Sequence, residues 1–346
     1  MDKIIKNINK KTSVALIIFI MTSISANLTL AEPNKGGMPV TYALPLDTNL
    51  ITQPDKEFIF QAVISPVSKR TVLGLMKNPN GGPEKILINS QDEPASFKVL
   101  WEPPDELVDI YCLGWSSKEK NLGFMATTGS LQTGYAECWL YVIEMESQKV
   151  RKILKIGEAT KGSPDKNLVD IPEKTSLAWL GENKICLRTN TNSIISVDSN
   201  NGQVETIVPL QDGSVRGPAA VQSDKLRFAK RIILQDKSVK VEIYEYAGSE
   251  VKSMGIIPSV DYAELSSDGQ YAFCMPKDNF QDWLIFDISK WKEIKRIPRI
   301  AKDQSSLYVY MPIAVLNNQK LILYESRQEN KQIPSPGRTR LSYIEL

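Results

Sequence analysis

Leu265-Ser266-Ser267-Asp268-Gly269-Gln270-Tyr271-Ala272-Phe273, followed by Trp283-Leu284-Ile285-Phe286-Asp287, decides the reading of this chain. A strand enters an Asp-Gly turn suited to a tight hairpin, a second strand leaves it, and an aromatic-rich strand follows. Degenerate copies recur in both directions. Anchored on the inner-strand residues Ser65, Trp115, Trp179, Val221, Leu265 and Val315, the units are 50, 64, 42, 44 and 50 residues apart. The long interval contains the polar, Gly/Pro-interrupted stretch 157–174, read as a loop inserted between two units.

Third strands align better than first ones. They read Trp139–Ile143, Ile194–Asp198, Val241–Glu245, Trp283–Asp287 and Arg340–Ile344. A polar turn and a fourth strand follow the first four, as in Ser199-Asn200-Asn201-Gly202 before Val204–Val208. These runs are β-branched and aromatic, bounded by turn residues, and no window carries helical periodicity with caps. Units of about 40–50 residues with four short strands each make an all-β β-propeller. Sandwich strands do not repeat in quartets with matching turns. The expectation is a single propeller domain over residues 39–346 with six blades, or seven if 116–177 holds another half-blade. The last unit stops one strand short, and Val40–Leu46 is an apolar stretch that no first blade needs. Residues 39–46 are therefore expected to complete the last blade and close the ring, because a free edge invites aggregation.

Residues 1–12 carry Lys3, Lys6, Lys10 and Lys11 against Asp2, and Val14–Met21 is a short apolar run with small residues after it. This is the pattern of a secretory signal peptide, with cleavage after Ala31 (or Ala26) and a short linker over 32–38. The run is too short to span a bilayer, which takes about 20 apolar residues. The expected location is periplasmic or secreted, with no integral span after cleavage. The whole chain has formal charge +2. Removing residues 1–31 removes a net +3 and leaves −1, so no nucleic-acid footprint is implied.

The chain has no histidine. Ser-His-Asp and Cys-His catalysis are thereby excluded, as are His-ligated metal sites. No Gly-x-Ser-x-Gly elbow and no phosphate-cradling glycine motif occurs. Asp198-Ser199-Asn200-Asn201-Gly202 resembles half a calcium loop, but the twelfth position is Pro209 instead of a bidentate Glu, so it reads as a turn. No metal and no cofactor is expected. Cys186 and Cys274 sit in apolar strand contexts, and Cys112 and Cys138 fall on the first and third strands of one blade. Two strand spacings of about 4.8 Å put that pair beyond disulfide reach, so four reduced cysteines are expected.

At Ser266–Gly269, Tyr271–Phe273 and Trp283–Asp287 the chain resembles the TolB-type six-bladed propellers and their relatives with WD-like repeats. Weaker copies are Ala62–Pro66 and Leu177–Glu182. The resemblance covers roughly residues 39–346 and implies a periplasmic or extracellular protein that binds other proteins. On that basis the expected function is a protein- or ligand-binding scaffold of the cell envelope or extracellular space, with a monomer as the expected oligomeric state. The alternative is a carboxylate-dependent, glycosidase-like enzyme acting on carbohydrate. For it, Asp261, Glu264 and Asp268 near one inner strand, and Glu137 and Asp282 at the Trp-headed strands, are the acid/base candidates. Candidate binding residues are Asp261 and Glu264 at the axial mouth, and Trp101 and Trp291 as exposed aromatics for a partner.

Overall fold

A computed structural model describes residues 42–43, 57–65, 67–68, 70–77, 83–89, 97–104, 107–130, 135–160, 166–167, 177–209, 213–302, 306–316, 320–329 and 338–346. Among them there is no helix; the described residues form 26 strands in six sheets. The segment read as signal peptide and linker lies outside the described residues.

The first blade is β2 (Glu57–Ile64), β3 (Thr71–Lys77), β4 (Pro83–Asn89) and β5 (Phe97–Trp101). The second is β6 (Leu107–Trp115), β7 (Asn121–Ser130), β8 (Tyr135–Glu144) and β9 (Val150–Thr160), with β10 (Lys166–Asn167) on its outer edge. The third is β11 (Leu177–Leu180), β12 (Lys184–Arg188), β13 (Ile194–Asp198) and β14 (Val204–Val208). The fourth is β15 (Ser214–Gln222), β16 (Lys225–Ile233), β17 (Val239–Ala247) and β18 (Glu250–Ile257). The fifth is β19 (Val260–Leu265), β20 (Tyr271–Pro276), β21 (Asp282–Asp287) and β22 (Lys292–Pro298). The sixth combines β24 (Ser306–Leu316), β25 (Lys320–Glu329) and β26 (Arg338–Glu345) with β1 (Tyr42–Ala43) outside them.

The ring closes as expected. Tyr42 pairs with Tyr343 and Ala43 with Ser342, so the amino-terminal strand supplies the fourth strand of the last blade. The seven-blade alternative falls, because β6, β7, β8, β9 and β10 belong to one sheet. The long interval is not simply an inserted loop: Gly157 lies in β9, and β10 folds back on it with Lys166 opposite Glu158. An unforeseen strand, β23 (Ile300–Lys302), pairs with the start of β24.

Burial explains why the blades were legible. Middle strands are covered by blades on both sides and so read as continuous apolar runs. β12 is buried from Ile185 to Arg188, and β21 from Trp283 to Asp287. Outer strands face water and carry charge; Val204, Glu205 and Thr206 of β14 are exposed. One hydrophobic cluster fills each seam between neighbouring blades. The cluster of Ala62, Leu73, Leu87 and Phe97 with Ile322 joins the first blade to the sixth. Burial of apolar area at these seams is the main stabilising term.

Polar stitches cross the same seams on the face bearing the first–second and third–fourth strand turns. The Glu182 carboxylate accepts from Ser116 Oγ and Ser117 Oγ (both 2.8 Å) and from the Lys118 amide. Glu119 accepts from the Val67 and Ser68 amides, and Arg227 donates to the Gly269 carbonyl (2.9 Å). In the best-preserved turn, Ser266 Oγ donates to Asp268 (2.6 Å) and accepts from the Tyr271 amide (3.0 Å). Gly269 there has φ +63°, which Gly adopts without a Cβ penalty.

The four cysteines are buried thiols in no disulfide, as expected. Burial pushes Cys112, Cys186 and Cys274 above the ordinary thiol range; at Cys112 the neighbouring Cys138 adds to this and Arg188 opposes it. Groups held protonated in this way do not serve as thiolate nucleophiles.

Candidate functional site: the loop face and axial mouth

The opposite face carries the second–third strand loops and the blade-to-blade connections. The innermost strands of the six blades surround the axis, and their starting residues border the mouth on this face. Arg216 lies near the start of β15, Asp261 and Tyr262 near the start of β19, Arg188 at the end of β12, and Arg299 between β22 and β23.

These groups reach from blade to blade. The buried Arg188 donates to the Val215 carbonyl on the next blade's inner strand. The Arg216 guanidinium lies over the Tyr262 ring, 5.4 Å from its centroid, on the following blade. The Tyr262 hydroxyl donates to Glu264 two residues on. Arg299 donates to the Phe280 carbonyl (2.8 Å) and sits over the Trp283 ring at 5.2 Å. Burial raises the Tyr262 phenol well above its usual range, and the Glu264 charge adds to the rise; Arg216 and Arg188 pull the other way. Burial lowers the Arg299 guanidinium, and Tyr262 opposes that shift. Tyr262 thus contacts the Arg216 guanidinium and the Glu264 carboxylate directly, and packs in the cluster that holds Trp283, the ring under Arg299.

Each of the acidic candidates is engaged by a neighbouring group of the protein. Asp261 stands 3.8 Å from Lys277 Nζ, and its carbonyl accepts from Arg231 (2.9 Å). Glu264 accepts from Tyr262. Asp268 belongs to the hairpin turn on the other face. Asp282 accepts from Asn279 Nδ2 (2.7 Å), and burial holds its carboxyl above the ordinary range. Glu137 accepts from Lys155 (2.6 Å), Tyr135 (2.7 Å) and Trp139 (2.9 Å). Among the described residues no group of three acidic, Cys or His side chains could hold a metal ion.

Trp101 and Trp291 are placed differently from the expectation of exposed rings. Trp101 is half-buried, packed in the seam between the first two blades, 5.1 Å from the Phe124 ring. Trp291 is half-buried against Phe286 (5.4 Å, edge-on), and a Cβ on Gly255 would come within 2.7 Å of its ring. Both rings fill space between strands that only the folded ring brings together. What the sequence missed is the set of arginines. Their one available signal was a charged residue ending an otherwise buried strand, as in Ile185-Cys186-Leu187-Arg188. Also unforeseen are the exposed apolar tips Ile233 and Leu234 on the fourth blade and Phe280 on the fifth.

The Glu137 network has a pH consequence. Bonds from Lys155, then Tyr135 and Trp139, lower its carboxyl from 4.5 to about 2. A depressed carboxyl contributes stability that is present above its unfolded value and lost as pH falls toward the folded one. Glu137→Gln is therefore expected to destabilise the protein at pH 7 and less at pH 3, within the window from about 4.5 down to about 2 where the contribution fades, compared by urea midpoints. An equal loss at both pH values would contradict this.

No family model matches the sequence, and no curated protein matches it. Similar solved structures include an oligogalacturonate lyase from Vibrio parahaemolyticus, 11% identical, with 84% of this chain and 78% of that one covered, at a TM-score of 0.51. TolB from Acinetobacter baumannii is 11% identical over 83% of this chain and 63% of its own, at 0.44. The α-L-arabinanase of Penicillium chrysogenum is 11% identical over 90% of this chain and 99% of its own, at 0.46. The protein is a six-bladed β-propeller. Its solved neighbours include TolB proteins and carbohydrate-active enzymes, and identity this low speaks of the shared fold alone. No helix among the described residues is long and apolar enough to cross a membrane.

Proposed function

We propose that this propeller is an exported recognition module that binds another protein at its loop face. The observation that carries the reading is the charge arrangement at the mouth. Arg188 reaches the Val215 carbonyl on the next blade, Arg216 covers Tyr262, and Arg299 covers Trp283, against whose cluster Tyr262 packs, while the nearby carboxylates are occupied by Tyr262, Lys277 and Asn279. A glycosidase needs the reverse, two carboxyl groups about 5–9 Å apart and open to substrate. Sugar rings are also commonly held on exposed aromatic faces, yet all six tryptophans are packed into seam clusters. The basic start and short apolar run of residues 1–21 support export.

A photo-crosslinking residue placed at Phe280, on the loop face, is expected to capture a discrete protein from the native envelope fraction, competed away by excess unlabelled protein. The same probe at Val204, exposed on an outer strand, should capture none. Equal capture from both positions, or turnover of a polysaccharide by the pure protein, would overturn the reading.

A further inference from the structure

We infer that the partner element recognised at the loop face is an acidic protein segment, with a carboxylate seated against Arg216 and Arg299 beside Tyr262 and an adjacent apolar side chain resting on Ile233, Leu234 and Phe280. The inference rests on the protein-binding reading above and names what that face selects.

Three independent features converge. The first is charge. Arg188 lies on the third blade, Arg216 on the fourth and Arg299 between the fifth and sixth; Arg216 covers the Tyr262 ring, Arg299 covers Trp283 in the cluster against which Tyr262 packs, and Glu264 is the carboxylate bonded to that phenol. Arg216 and Arg299 present guanidinium groups on this face, in a chain whose charge without residues 1–31 is −1 overall. The field is thus local and aimed. Half-buried guanidinium groups are less strongly hydrated than ammonium groups and present paired donors matched to a carboxylate.

The second feature is preorganisation. Arg216 is stacked on Tyr262, and Arg299 is tethered to the Phe280 carbonyl and stacked on Trp283. Side chains already ordered lose less conformational freedom when a ligand arrives.

The third feature is the apolar rim. Ile233 is 62% exposed, Leu234 42% and Phe280 52%. Ile233 pairs with Val239, and the Val239 carbonyl accepts from Lys277, three residues before Phe280. These tips therefore belong to tethered loops of adjoining blades. The Arg299 bond to Phe280 fixes one of them to the cationic group. An aliphatic and phenyl surface beside guanidinium groups suits an acidic–apolar peptide better than a sugar, since aromatic residues and arginine anchor protein interfaces.

The test selects binders from a phage-displayed library of random twelve-residue peptides on the full folded protein. Recovered peptides should be enriched in Asp or Glu next to an apolar residue. A synthetic copy of the dominant peptide should bind about tenfold or more weakly to Arg216→Gln and to Arg299→Gln, the effect of losing about 1.4 kcal/mol per charged contact. Binding should also weaken with added salt, because the contact is electrostatic. Arg216→Lys, which keeps the charge, should retain an intermediate affinity. Thermal melts establish that each variant folds, and Phe280→Ser probes the rim without touching a guanidinium. Peptides recovered without acidic enrichment, or bound equally by all variants, would overturn the carboxylate inference while leaving protein binding intact. No recovered peptide, with saturable binding of an acidic oligosaccharide to the same arginines, would overturn the protein-binding reading and this inference together.

Discussion

Trp179→Ala is expected to lower the unfolding free energy by about 3–5 kcal/mol, the range for truncating a large buried aromatic. The ring is completely buried in the seam between the second and third blades. Its neighbours there include Cys112, Met125, Leu140 and Leu177, and its indole N–H donates to the Gly114 carbonyl (2.9 Å) on the second blade's inner strand. The substitution thus opens a cavity and orphans a buried carbonyl at one place. Both terms act across a seam instead of within one sheet, so the loss should appear as an earlier cooperative unfolding of the whole ring. Trp179→Phe keeps most of the volume and loses the hydrogen bond, and should cost much less. Urea titration followed by circular dichroism reads both. A loss below about 1 kcal/mol for the alanine variant would mean that the seam repacks freely, contrary to close-packed interiors.

Gly114→Ala is expected to destabilise by about 1–3 kcal/mol or more, the range for forcing atoms into a packed core. A Cβ at this position would stand 2.4 Å from the Leu177 carbonyl oxygen and 2.6 Å from Leu177 Cδ2. The first obstacle is backbone of the neighbouring blade, which no rotamer change relieves. The two blades must separate, and the Trp179 bond to the Gly114 carbonyl is strained by the same movement. Gly248→Ala is a fitting control, since nothing lies within 4 Å of its added Cβ, although its φ of +53° carries a small penalty of its own. A Gly114→Ala variant as stable as the Gly248→Ala variant would show that the close approach of β6 to β11 is not a tight contact. Because Gly114 and Trp179 touch, their combined effect should fall short of the sum.

Most of the architecture was legible because a propeller repeats a local pattern. The turn at Ser266–Gly269, the third strands headed by Trp139 and Trp283, and the inner-strand positions of Trp115 and Trp179 each follow from a few adjacent residues. Ring closure was legible by a different logic. The last unit lacked a strand and the apolar stretch near Tyr42 lacked a blade, and the Tyr42–Tyr343 pairing joins them. The strand β23 escaped notice because Ile300–Lys302 is too short to show a period. The Lys166–Asn167 strand is shorter still and lies in a polar stretch that reads as loop.

The site was legible only in its negative half. The absence of histidine excludes whole classes of chemistry before any fold is known. The positive half was not readable in one dimension. Asp261 and Glu264 stood out as acidic residues on an inner strand, yet Lys277 and Tyr262 engage them. Trp101 and Trp291 stood out as aromatics next to turns, yet neighbouring strands cover them.

Composition and local periodicity determined the strand quartets, the turn chemistry, the need for a closing strand and the mechanisms this protein does not use, because each depends on residues near one another along the chain. Tertiary structure alone decided which tryptophans are covered, which carboxylates find partners, and that Arg188 reaches Val215, Arg216 covers Tyr262 and Arg299 covers Trp283. Those arginines lie 28 and 83 residues apart in sequence. Only the angular spacing of blades around an axis brings an arginine of one blade onto a carbonyl or ring of the next.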